Sequence, residues 1–198
     1  MKKFMIVMAV LATFVSTAAW GAQPLDVLKL RLDAVVAVLG APEYSVGEKG
    51  DLQREKIGRI VRETFDFAEI AKRAVARNWR LFDAGQKETF SELFARMLSV
   101  RYIARLQQEY SGEEIIYLGQ ELAREDRAQV KTKVPRSGTD LSIDYSLKLA
   151  EGDWRVYDVR VEGVSLVKNY RSQFNKFLMN KSPDRLIEVL RQKVSANK

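Results

Sequence analysis

The sequence predicts an α+β fold, a curved four-stranded antiparallel sheet with helices packed on one face. Three observations carry this. Apolar residues recur at helical spacing as far as Tyr110, the period changes to two from Glu114 to Val161, and helical spacing then returns. The turns at Ser137-Gly138 and Glu151-Gly152-Asp153 are short and glycine-bearing, as antiparallel hairpins require. No repeat, low-complexity tract or linker divides the chain, so the three blocks belong to one domain.

A processing segment comes first. Lys2 and Lys3 precede an apolar run from Phe4 to Val15 and a small-residue region from Ser16 to Ala22, the pattern of a secretory signal peptide. The run is shorter than the roughly 20 residues that span a bilayer. Cleavage between Ala19 and Ala22 is expected, so residues 1–22 are the signal peptide and 23–198 the exported domain. The sequence has no cysteine, hence no lipid-modified cysteine and no disulfide. Cleavage removes two lysines and no acid, lowering the net charge from +7 to +5. That suits work near anionic membrane surfaces, although solubility alone asks for as much.

Leu25, Leu28, Leu32, Val35, Val36 and Leu39 mark the first helix, which Gly40 and Pro42 end. A second covers Leu52 to Glu63, with Ile57, Ile60 and Val61 on its apolar side. Asp66 followed by Glu69 fits a capping box, and Phe67, Ile70, Ala71, Ala74 and Val75 form the buried side of the helix it starts. The longest helix runs from about Gln86 to Tyr110, where Phe90, Leu93, Phe94, Met97, Leu98, Tyr102, Leu106 and Tyr110 make one wide apolar stripe.

Four strands follow, at Ile115–Leu122, Ala128–Val134, Asp140–Leu149 and Asp153–Val161. In the third, Leu141, Ile143, Tyr145, Leu147 and Leu149 alternate with Ser142, Asp144, Ser146 and Lys148, giving one buried and one wet face. The fourth is apolar on both faces, with Trp154 and Val156 on one and Tyr157, Val159 and Val161 on the other. Val167, Tyr170, Phe174, Phe177 and Leu178 then mark the inner side of a helix. Ser182 as N-cap, with Pro183 at the first helical position, opens the last one, which carries Leu186, Ile187, Leu190 and Val194.

The absence of histidine and cysteine excludes Ser-His and Cys-His nucleophiles and thiolate or imidazole metal sites, and no cofactor or metal is expected. Asp158, read on the face of Trp154 and Val156, is either a general base with a raised pKa or a structural carboxylate paired with an arginine or backbone N–H groups. Lys168, Arg171, Lys176, Lys181, Arg185, Arg191 and Lys193 would meet phosphate head groups or an acidic partner, or simply form a solvated face. Nucleic acid is not an expected partner, since no recognition motif is present. Gly138, Gly152 and Gly163 are isolated turn glycines and make no phosphate loop. What remains is an excess of large apolar side chains on the inner sides of sheet and helices. Such a surface closes a core or lines a cavity for something apolar, and periodicity does not separate the two.

Three segments carry a family resemblance: WRVYDVRVEGVSLVKNYRSQF (Trp154–Phe174), FDFAEIAKRAVARNW (Phe65–Trp79) and QKETFSELFARMLSVRYIARL (Gln86–Leu106). On these the chain resembles the MlaC family, periplasmic phospholipid-binding proteins of the Mla lipid transport system, also called the toluene-tolerance auxiliary family. Two places depart from the family pattern. Val75-Ala76 stand where Leu-Gly is common, and Ser182-Pro183-Asp184 where Gly-x-Asp is common. Both concern local helix geometry.

The resemblance implies a periplasmic carrier, not an enzyme. It would hold acyl chains in a deep apolar pocket and pass lipid between an outer-membrane lipoprotein complex and an inner-membrane ABC transporter with its lipid-binding subunit, maintaining outer-membrane asymmetry. On this reading Val164, Leu166 and Val167, in the first turn of the helix that follows Gly163, form the pocket wall. Ile143, Tyr145, Leu147, Tyr157, Val159 and Val161 form its sheet side, and Phe94, Leu98 and Tyr102 part of its helical side. Two alternatives stand beside it: a small cone-shaped enzyme of the steroid-isomerase type using Asp158 with Tyr145 or Tyr157, and a structural adaptor with a closed core.

Overall fold

The computed structural model describes residues 22–44, 49–136 and 138–196. The expected signal peptide lies outside the described residues except for Ala22, as does Ser137 of the expected turn. Among the described residues six α-helices and five strands follow in chain order: α1 (Pro24–Gly40), α2 (Lys49–Thr64), α3 (Phe67–Val75), α4 (Ala84–Glu109), β1 (Ile116–Arg124), β2 (Arg127–Val134), β3 (Leu141–Ala150), β4 (Asp153–Val161), β5 (Val164–Ser165), α5 (Leu166–Leu178) and α6 (Pro183–Ser195).

The helix starts are chemically marked. Asp66 accepts the Glu69 N–H at 2.8 Å to open α3. The reciprocal capping box occurs instead at α4, where Asp83 and Gln86 each satisfy the other's backbone N–H. Ser165 and Ser182 cap α5 and α6.

The sheet is an antiparallel meander in the order β1-β2-β3-β4-β5. It has one strand more than expected, because Val164 and Ser165 pair back onto Val161 and Arg160 before α5 begins. Glu162 and Gly163 make that reversal with φ of 50° and 76°, the two positive values a type I′ turn needs. Val164 is therefore a strand residue and not the first turn of a helix.

The register of β4 corrects the expected faces. Ser146 pairs with Asp158 and Leu147 with Val156, so Tyr157 is an extra residue, a β-bulge. A one-residue insertion reverses the alternation that follows it. Trp154 and Val156 before the bulge thus share a face with Val159 and Val161 after it, opposite Leu149, Leu147, Tyr145 and Ile143. Asp158 and Arg160 turn to the other face, with Ser146 and Asp144. Neither Asp158 beside Trp154 nor Tyr157 beside Val159 holds as a shared-face assignment.

Helix α1 lies over the apolar face. Leu28 is buried with Ala128, Val130, Tyr145, Leu147, Trp154 and Val156, and Leu25, Val27 and Leu32 pack against them. Arg31 fixes the seat, donating to the Asp153 carboxylate at 2.7 and 2.8 Å and to the Trp154 carbonyl at 2.8 Å. The other large core belongs to the helices: α3, α4, α5 and α6 enclose Phe90, Phe94, Phe174 and Tyr170 with their aliphatic neighbours. Phe65 packs against both cores. It bridges in parallel to Val156, whose carbonyl accepts the Asp66 N–H at 2.9 Å, so the helical layer is attached along the β4 edge. A smaller cluster of Val35, Ile57 and Ile103 joins α1, α2 and α4.

Candidate functional site

The twelve residues expected to line a pocket separate into three groups. Phe94, Leu98 and Val167 are buried in the helical core, and Tyr102 and Leu166 pack half-buried against it. Tyr145 and Leu147 are buried in the sheet core, with Ile143 and Val159 half-buried beside them. Val161 and Val164 face each other across the last hairpin, 42% and 65% exposed. Tyr157 joins none of these. The bulge turns it to the polar face, where the Arg73 guanidinium lies 4.2 Å from its ring centroid.

Tyr145 is the unusual member of the sheet core. It is 8% exposed, and burial pushes its phenol well above the ordinary value. Its hydroxyl makes no hydrogen bond to the described residues, yet none of their sealed side-chain polar atoms lacks a partner. The hydroxyl must therefore open onto solvent-accessible space from within an apolar cluster. Tyr117 is tied down by contrast: its hydroxyl donates to Asp33 at 2.8 Å.

An open cleft of about 570 Å³ lies between α2 and α4, within the size range of small-molecule sites. Gly58, Phe67, Ala95, Val100 and Ile103 supply apolar surface there, and Arg54, Arg62, Arg96, Asp51, Glu55 and Glu92 the charge. None of the twelve expected residues borders it. The signal was present as a second apolar edge of the long helix, Val100 and Ile103 at a spacing of three beside the main stripe.

On the polar face of the sheet a smaller depression of about 200 Å³ is bordered by Arg73, Ser146, Tyr157, Asp158, Arg160, Val167, Lys168 and Arg171. Asp158 is committed to structure: Oδ2 accepts the Ser165 hydroxyl at 2.6 Å and Oδ1 the Val167 N–H at 3.1 Å. No group of acidic residues able to hold a metal occurs among the described residues, and no described helix is long and apolar enough to cross a membrane.

This architecture has a counterpart of known structure. A phospholipid-binding protein from Ralstonia solanacearum, solved in complex with a phospholipid, superposes with a TM-score of 0.77 over 89% of this chain and 99% of its own, at 20% identity. No curated protein sequence is significantly similar. The family model described as MlaC protein matches residues 31–192, from within α1 to within α6, and so takes in all the elements that build these surfaces. The chain belongs to the MlaC family.

Proposed function

We propose that the protein is a periplasmic phospholipid carrier, exported by residues 1–22. It takes lipid from one membrane-bound complex and delivers it to another, between an outer-membrane lipoprotein complex and an inner-membrane ABC transporter with its lipid-binding subunit. The observation that carries this reading is the family match across the domain, strengthened by a protein of the same fold solved with phospholipid bound. The energetics fit. Exposing two acyl chains of roughly 14 CH₂ groups each, at about 0.8 kcal/mol per group, costs on the order of 20 kcal/mol. A carrier that replaces water with an apolar wall removes most of that barrier without a covalent step.

The acyl chains would lie along the half-buried members of both cores and along Tyr145, whose hydroxyl opens onto accessible space. Ile143, Tyr145 and Val159 form the sheet side, Tyr102 and Leu166 the helical side, and Val161 with Val164 the lip. Phe94, Leu98, Leu147 and Val167 back the wall. Tyr157 is left out because its face is polar. The steroid-isomerase alternative requires a free carboxylate, and Asp158 has both oxygens engaged in holding α5.

The test is direct. The mature protein, purified gently from cells, is examined by native mass spectrometry and, after organic extraction, by lipid mass spectrometry. A stoichiometric phospholipid is expected, and lipid-free protein would overturn the reading.

A further inference from the structure

The depression on the polar face of the sheet combines four features that the carrier reading leaves unused. Four cations, Arg73, Arg160, Lys168 and Arg171, border it against the single carboxylate of Asp158. Asp158 cannot balance these cations, since it brings one charge against four and its two oxygens also accept from Ser165 and Val167. Arg160 and Lys168 form no ion pair with the described residues, whereas Arg73 is held by Glu69 at 2.7 Å. Arg171 donates Nε to the Arg73 carbonyl at 2.9 Å, and its terminal nitrogens have no partner among the described residues.

The fourth feature is the floor. Ser146 borders the depression and is 8% exposed, yet its hydroxyl bonds to no described residue. Since no sealed polar atom lacks a partner, that hydroxyl opens into the depression. A buried donor with no partner among the described residues, beside the unpaired cations Arg160 and Lys168, is complementary to an anion carrying several acceptor oxygens. Cations grouped around one depression repel one another, and a bound anion relieves that repulsion. Planar guanidinium groups match phosphate oxygens in pairs, and a hydroxyl adds a neutral donor.

The chain builds this site deliberately. Without the bulge at Tyr157, Asp158 and Arg160 would face α1. Lys168 and Arg171, three apart on α5, share a helix face, and Arg73 arrives from α3. The Arg73 guanidinium lies over the Tyr157 ring, 4.2 Å from its centroid, which holds it beside the depression.

We propose that this depression is a phosphate-binding site, distinct from the proposed acyl-chain site and taking either a lipid head-group phosphodiester or a free phosphate. Mature ¹⁵N-labelled protein, with the lipid it carries from purification, is titrated separately with inorganic phosphate and with glycerophosphoglycerol. Both are compared with chloride at matched ionic strength while amide and arginine side-chain resonances are followed. Saturable shifts are expected at Ser146, Arg160 and Lys168. Affinity should fall about tenfold in Arg160→Gln and in Lys168→Gln, each a loss of about 1.4 kcal/mol. Neither side chain has a partner among the described residues, so both variants should fold, and Ser146→Ala provides a smaller, independent change. Tighter binding of the diester assigns the site to a head group, and tighter binding of inorganic phosphate to the free ion. Either result supports it. Shifts no larger than those of chloride, or shifts unchanged in both charge variants, overturn it. Lipid found by mass spectrometry without phosphate shifts would reject the site and leave the carrier reading standing, and the converse result would do the opposite.

Discussion

The carboxylate of Asp158 and the hydroxyl of Ser165 meet at 2.6 Å, seven residues apart, across the reversal from β4 through β5 into α5. Ser165 in turn accepts the Lys168 N–H at 3.0 Å, and Asp158 takes that of Val167. Two of the free N–H groups at the start of α5 are thus satisfied by a strand residue and a cap acting together. Asp158→Ala should lower stability by about 1–3 kcal/mol through loss of charged hydrogen bonds, read as a lower urea midpoint with an unchanged slope. Lipid bound per folded molecule should not change. A variant as stable as the parent would show that the cap contributes nothing.

The same hairpin shows how far the sequence could be read. Period-two alternation located β1 to β4 within about two residues, because a half-buried strand cannot hide its two faces. The bulge at Tyr157 was not legible, since it exists only in the pairing of β4 with β3 and a run apolar at Trp154, Val156, Tyr157, Val159 and Val161 reads equally well in either register. Strand β5 is two residues long and carries no period at all. The division of the expected site residues between two cores depends on which helix lies over the sheet, and no helix states that in its own stripe. Asp158, read alone, left base and cap both open. Its partner Ser165 reads in sequence as part of the helix that it caps in the structure.

Lys148 Nζ sits 2.7 Å from Asp66 Oδ2 and 3.9 Å from Glu69 Oε2, joining the polar face of β3 to the start of α3. Burial pushes the Asp66 carboxyl up. Hydrogen bonds from Lys148 and the Glu69 N–H, with the charges of Lys148 and Arg155, outweigh this and hold it below its ordinary 3.8. A carboxyl depressed in the folded state contributes stability above its unfolded value and loses it as pH falls through the folded one. Urea midpoints should therefore drop as the pH is taken below 3.8. Asp66→Asn should start lower at neutral pH and show a flatter acid limb. Parallel limbs for the two proteins would remove Asp66 from the account.

Phe94 has ring neighbours on three sides: Phe90 at 5.7 Å, Tyr170 at 5.0 Å and Phe174 at 5.2 Å between centroids. Such a residue behaves as core. Phe94→Ala should cost about 3–5 kcal/mol, the loss of a buried aromatic plus the cavity it leaves. The measurement is equilibrium unfolding of lipid-free protein. A cost under about 1 kcal/mol would mean that the site already borders a void, and Phe94 would then move from the backing of the wall to its surface.

Val164 and Val167 sit three residues apart and are expected to answer the same substitution differently. Val167 is 3% exposed within the helical core, so Val167→Glu buries a charge without a partner and should prevent folding. Val164 is 65% exposed on β5, so Val164→Glu should leave stability within about 0.5 kcal/mol of the parent. If Val164 and its cross-strand partner Val161 form the lip of an acyl-chain pocket, the glutamate places a charge where hydrocarbon must pass. Co-purified phospholipid should then fall sharply in a protein with an unchanged melting temperature. That combination separates a lip from an ordinary exposed hairpin valine, for which both lipid content and melting temperature would match the parent.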